Sequence, residues 1–285
     1  MTRAIFISDL HGSKEKYSFL FEQILLYKPE VVFIGGDILP HFEGYRDSAS
    51  IGGEDFIYDY LVVELQRIRD ILGDEYPRIF IIPGNDDSRA SETSFLDISS
   101  SRLISYINQR IVRFKEYLIL GYAFVPPTPF LNKDWEKYDV SRFDDVGCIP
   151  PDAGYRSIPV SEYEARYSTI KDDLQEMMEG LEKEKTVLLM HSPPYQTKLD
   201  RAALDGKFVD HVPLDVHIGS IAIKRLLEKY KFHLSLHGHV HESTRITGAW
   251  RDTVGDNIAF QGASERKELM LIRFDLDNPD KAEMI

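Results

Sequence analysis

Five short runs of mainly apolar residues, at 4–7, 31–34, 78–82, 186–190 and 232–236, each break off into a turn carrying Asp, Asn, Gly or His. Runs of this length, rich in β-branched and aromatic residues and bounded by turn formers, read as buried strands. Between the first two, Ser13 is placed to cap a helix whose apolar residues Tyr17, Leu20, Phe21, Ile24 and Leu25 recur at helical spacing, and Lys28-Pro29 ends it. A second helix, at about 54–72, carries Ile57, Leu61, Leu65, Ile68 and Leu72 on one face. Strand–helix–strand units with short connections demand a parallel sheet. Open α/β sheets build their sites at the C-terminal ends of such strands, which is where the polar turns fall.

The rest of the chain is less regular. Residues 38–53 form a polar, glycine-bearing loop that includes His41. Residues 102–124 read as several short strands of a mixed sheet. From 126 to about 160 the periodicity fails, and Pro, Asp and aromatics (Phe130, Trp135, Tyr138, Phe143, Tyr155) dominate. A loop of this length inside one domain reads as an inserted lid or binding segment, its aromatics packing on the core or stacking on a ring. Residues 161–185 read as one long amphipathic helix with Tyr163, Tyr167, Ile170, Leu174, Met177, Met178 and Leu181 on its apolar side. Residues 218–230 read as another helix. Ile246, 258–260 and 269–274 read as closing strands before a charged tail. No repeat of fixed period is present.

The 285 residues suit one α/β domain, and 43% hydrophobic content is enough for a sizeable core. A net charge of −13 disfavours a long nucleic-acid track, although a local metal site still attracts one phosphate. One cysteine, Cys148, rules out an intrachain disulfide; with no base placed beside it, it reads as inert. No signal-peptide pattern opens the sequence and no apolar run approaches the roughly 18 residues of a membrane span, so a soluble cytoplasmic protein is expected.

The strand-end turns contain Asp9-x-His11, Gly36-Asp37, Gly84-Asn85, His191 and Gly238-His239-x-His241. Singly, such residues are ordinary turn formers and caps. His239 and His241 are two apart, so on an extended segment both imidazoles project the same way, and Gly238 permits a tight turn. Taken in order over residues 9–241, the set resembles the signature of the calcineurin-like metallophosphoesterases.

That resemblance implies a four-layer α/β/β/α sandwich of two mixed sheets flanked by helices. It implies one metal on Asp9, His11, Asp37 and His241, a second on Asp37, Asn85, His191 and His239, and Asp37 bridging the pair. Carboxylate, imidazole and amide-oxygen donors suit Mn, Fe or Zn, as divalent or mixed-valence ions. The absence of thiolates argues against a structural zinc site. The implied reaction is hydrolysis of a small phosphodiester, nucleotide or phosphomonoester, a diester before a monoester, by a hydroxide bridging the metals.

One position departs from the family pattern: the residue after the motif's Asn is commonly His, and here it is Asp86. A carboxyl beside two cations has a lowered pKa and is a poor general acid near neutrality. Asp86 then acts through a water, or the enzyme favours good leaving groups, or His11 supplies a proton. His41 and His217 are the candidate substrate contacts. Asp87 is expected to orient a histidine or close a turn, and His237 to be a buried, hydrogen-bonded imidazole. The helix opening at Gly219-Ser220 has two readings, an anion site for substrate or simple capping by Ser220. The competing function is a non-catalytic metal-binding scaffold on the same fold. A nuclease would need a basic groove, and no Arg/Lys cluster supplies one.

Overall fold

The computed structural model describes residues 1–41 and 55–285. Most of the polar loop expected at 38–53 therefore lies outside the described residues. The first sheet runs β14-β13-β1-β2-β3-β4, built from β1 (Arg3–Ile7), β2 (Val31–Ile34), β3 (Arg78–Ile81), β4 (Ser105–Tyr106), β13 (Ile272–Asp275) and β14 (Asn278–Met284). Its β1–β4 portion is parallel, and β13 joins β1 antiparallel. The second sheet runs β11-β12-β10-β7-β6-β5, from β5 (Arg110–Phe114), β6 (Tyr117–Tyr122), β7 (Thr186–Met190), β10 (Leu234–His237), β11 (Arg251–Val254) and β12 (Asn257–Gln261). A separate hairpin pairs β8 (Phe208–Val209) with β9 (Val212–Pro213).

Strand alternation explains the layering. On β1, Ala4 and Phe6 face the second sheet, where they meet Val187, Leu189, Leu234, Leu236 and Phe260. Ile5 and Ile7 face the other way, onto the helices Lys14–Tyr27 and Val62–Leu72. On the second sheet, Leu120, Leu188 and Met190 meet the helices Ile170–Met177 and Ile221–Lys229. Both faces of the central strands are therefore covered, which is why they read as continuous apolar runs rather than alternating ones. The four-layer sandwich of two mixed sheets follows directly.

Several local expectations give way. The helix expected over 161–185 is two helices, Glu162–Tyr167 and Ile170–Met177. Ser168 turns extended, and Thr169 caps the second helix by accepting from the Asp172 amide while bridging to Tyr138. A Ser-Thr pair offers the backbone that alternative to continuing the helix. Tyr163 and Tyr167 consequently stand exposed rather than on the apolar side.

Ile246 lies in the short helix Ser243–Thr247, not a strand. The charged tail is β14, an edge strand whose lysine, aspartate and glutamate suit the unpaired side of a sheet. The helix Glu92–Ser100 has no counterpart in the sequence reading. Within 126–160, Trp135 and Tyr138 are buried as packing residues, whereas Phe130, Phe143 and Tyr155 are exposed.

Candidate metal centre

The turns after β1 and β2 are laced together before any side chain is considered. The amide of Asp9 donates to Gly36 O (3.0 Å) and that of His11 to Asp37 O (2.8 Å). The turns after β7 and β10 are tied likewise by the Gly238 amide donating to His191 O (2.9 Å). The contact of His191 Nδ1 with Gly35 O brings the strand ends of the two sheets to one place.

Asp9, His11, Asp37 and His241 bring ligand atoms within 4.8 Å of one another. His241 Nε2 lies 2.9 Å from Asp9 Oδ1 and 3.1 Å from His11 Nε2, and His11 Nε2 lies 3.7 Å from Asp37 Oδ2. Donors about 2.1 Å from a shared ion stand roughly 3.0–3.4 Å apart at neighbouring positions and up to about 4.2 Å apart at opposite ones, so these separations fit one cation. His191 Nε2 lies 3.4 Å from the same Asp37 Oδ2 and 3.1 Å from Asn85 Oδ1, which fits a second. The His239 ring sits 5.3 Å from the His191 ring, centre to centre. The donor set is nitrogen and oxygen only.

Tautomers are fixed from behind. His191 Nδ1 donates to Gly35 O (2.7 Å), turning Nε2 toward Asp37 and Asn85. His11 Nδ1 faces Asp86 Oδ2 at 3.2 Å, turning its Nε2 into the cluster.

The electrostatics favour positive charge. Burial opposes ionisation of Asp9, but the His241 hydrogen bond and charge outweigh it and hold the carboxyl at about 2. Asp37 is likewise held below the usual carboxylate range, burial being outweighed by His191 and His11. Burial opposes protonation of His11 and His191 too, yet contacts with Asp86 and Asp37 raise both to about 9. His239 goes the other way, lowered to about 3 by burial and the neighbouring His191, so its lone pair stays available.

The backbone here is unusual. Asp9, His11, Asp37 and His239 all adopt positive φ, at 58°, 47°, 50° and 75°. Non-glycine residues held there concentrate at functional sites. The expectation that strand alternation aligns His239 with His241 is therefore corrected, because β10 ends at His237 and the left-handed turn at His239 makes the approach. The role expected of Gly238 also changes. A Cβ there would lie 2.0 Å from Ser8 Oγ and 2.6 Å from Asp9 Oδ2, so close approach, not a tight turn, requires the glycine.

Around this centre, Asp87 is fully buried and accepts from the amides of Ile38, Leu39 and Gly84, closing turns rather than orienting a histidine. His237 is buried between Ser192 O (2.8 Å) and Ser235 Oγ (2.7 Å), as expected. His41 is brought to the mouth of the site, stacked on His11 at 4.7 Å and hydrogen-bonded through Nδ1 to Asp86. His217 is held by Asp200 (2.8 Å) beside Tyr195, and among the described residues no contact joins it to the ligand cluster. Ser220 caps its helix, whose first amides are taken by Asp139, leaving no free anion site there. Burial raises the Cys148 thiol to about 11, in keeping with an inert residue. Sequence reasoning missed Lys16, whose ammonium donates to Asp9 O at 2.8 Å, because nothing in one helix face marks it.

Fold and site together define a two-sheet α/β protein with a metal-binding centre where its sheets' strand ends converge. The chain belongs to the calcineurin-like phosphoesterase family, whose model matches residues 2–243, and the family consists generally of metal-dependent phosphoester hydrolases. Its backbone is similar to TT1561 of Thermus thermophilus, at 14% identity and a TM-score of 0.56, covering 100% of this chain and 98% of that one. It is also similar to a dimetal phosphatase from Danio rerio, at 12% identity and a TM-score of 0.50, covering 95% and 92%. At these identities the likeness concerns the fold. No curated protein matches the sequence.

Proposed function

We propose that this chain is a two-metal phosphoesterase that hydrolyses a small soluble phosphodiester, nucleotide or phosphomonoester in the cytoplasm, diesters ahead of monoesters. The observation that carries the reading is the placement of Asp37 Oδ2, 3.7 Å from His11 Nε2 and 3.4 Å from His191 Nε2. One carboxylate oxygen therefore serves both donor sets. In this reading Asp9, His11, Asp37 and His241 hold one ion, and Asp37, Asn85, His191 and His239 hold the other, with Mn, Fe or Zn the candidates. Two such ions, when bound, lower the pKa of a shared water and neutralise charge on the phosphoryl oxygens.

The chain's own groups do the rest. Asp86 lies between His11 Nδ1 and His41 Nδ1 and fixes both rings. His41 is largely exposed, and among the described residues its ring edge faces outward to meet a substrate oxygen at the mouth of the site. With Asp86 where the family commonly carries His, no imidazole stands at that position to protonate the leaving group, so aryl and nucleotide leaving groups are favoured. Hydrolysis of bis-p-nitrophenyl phosphate and p-nitrophenyl phosphate, with manganese restored to stripped protein, tests the proposal. Turnover that appears with metal supports it; a metal-loaded but inert protein favours the scaffold.

A further inference from the structure

The segment at 126–160 is tied down along much of its length. Val125 and Trp135 pair backbone to backbone (3.0 Å), and Lys133 pairs with Tyr155 (2.9 Å). Lys133 and Glu136 form an ion pair at 2.6 Å with both side chains fully buried. Asp139 grips the first amides of the helix Ile221–Lys229. A segment so anchored does not swing as a unit. Its exposed side chains, Phe130, Leu131, Phe143, Val146 and Tyr155, are scattered along it rather than gathered in one free flap.

What this anchored stretch holds is the turn after β3, which carries Asn85 and Asp86. From the metal side that turn is fixed by the Asp86 amide donating to Asp37 Oδ1 (2.8 Å) and by Asp87. From the opposite side Asn132 Nδ2 donates to the Asn85 carbonyl (3.3 Å), and Asp134 Oδ2 accepts from the Arg89 amide (2.8 Å). The two hooks brace one another, because Asn132 Oδ1 accepts from the Asp134 amide (3.1 Å). Ser157 completes the frame, donating to Asp134 through its amide (2.8 Å) and hydroxyl (2.6 Å) and accepting from the Ala90 amide (2.9 Å). Asp134 is 1% exposed, so its carboxylate relies on these partners.

We propose that Asn132 and Asp134 are positioning residues for the metal centre: the 132–136 stretch is a fixed brace that sets the Asn85 peptide and so aims Asn85 Oδ1 at the second cation. The inference rests on the reading of Asn85 as a donor to that ion. Asn85 is the weakest donor in its set, a neutral amide among a carboxylate and imidazoles. Its contribution depends most on being held in place, since an uncharged oxygen gains little from a loose approach.

The test uses the full chain stripped with EDTA, titrated calorimetrically with manganese(II), and followed separately by amide hydrogen exchange without metal. Asn132→Ala should weaken the second manganese about 10–100-fold and leave the first unchanged. It should speed exchange at residues 85–90 without altering β3 or β7. Asp134→Asn, which retains the side chain's size, should do the same more mildly and guards against misfolding of Asn132→Ala. Wild-type affinity for both ions in Asn132→Ala, with unchanged protection at 85–90, overturns the brace. A wild-type protein that takes up a single ion refutes the two-metal reading instead, and the exchange result alone then decides the brace.

Discussion

Gly36 offers a sharp separation between backbone strain and damage to the site. Its φ of +106° is unfavourable for any side chain, and a Cβ there would lie 2.4 Å from His191 Nδ1 and 2.9 Å from Gly84 Cα and Pro83 O. Gly180 has φ +67° but nothing within 4 Å of the same added atom. Ala at Gly180 should therefore cost only the conformational term, about 1 kcal/mol. Ala at Gly36 carries a comparable term plus overpacking of about 1–3 kcal/mol, because two of the three nearest atoms are backbone and cannot rotate aside. The expected loss is about 2–4 kcal/mol. The ring of His191 must also shift, breaking its Nδ1 hydrogen bond to Gly35 O. Urea unfolding of metal-free protein measures the stability terms, and manganese titration measures the site. Gly36→Ala should lose both stability and the second ion, whereas Gly180→Ala should keep full metal affinity. Equal stability losses, or intact metal binding in Gly36→Ala, would refute the packing argument.

Three further outcomes follow from individual side chains. Burial lowers His237 to about 4, so between that value and the ordinary value near 6.5 the folded state binds fewer protons than the unfolded. Its contribution is complete above pH 6.5 and is lost as pH falls toward 4, by up to about 3 kcal/mol; metal-free His237→Gln should show a shallower stability slope across that window, and identical slopes would count against it. Lys133→Met leaves Glu136 buried without its partner and should cost about 3–5 kcal/mol in urea unfolding, most of it recovered in Lys133→Met/Glu136→Leu; a loss below about 1 kcal/mol would contradict the pair's burial. His41→Ala removes an exposed contact at the mouth and should raise KM about tenfold with unchanged manganese content, a prediction undone by wild-type KM.

The strands and the polar turns were legible because both rest on local chemistry. An apolar run covered on two faces looks the same wherever it sits, and Asp9, Asp37, Asn85 and His191 follow such runs directly. His237 and Asp87 could be given non-ligand roles for the same reason. What escaped depends on distant partners. The break at Ser168-Thr169 exists because Thr169 bridges to Tyr138, thirty-one positions away. The charged tail becomes β14 only because β13 offers an edge. Nothing in the sequence brings Asn132 to Asn85, or shows that positive φ at His239 rather than strand pleat would aim the two final histidines.

The dual reach of Asp37 is best examined by counting manganese in the folded protein by elemental analysis, wild type beside Asp37→Asn. Two ions per wild-type chain, falling to one or none once the shared oxygen is replaced, are expected from its position between His11 and His191. A variant that retains both ions, or a wild-type protein that never holds more than one, would contradict the account.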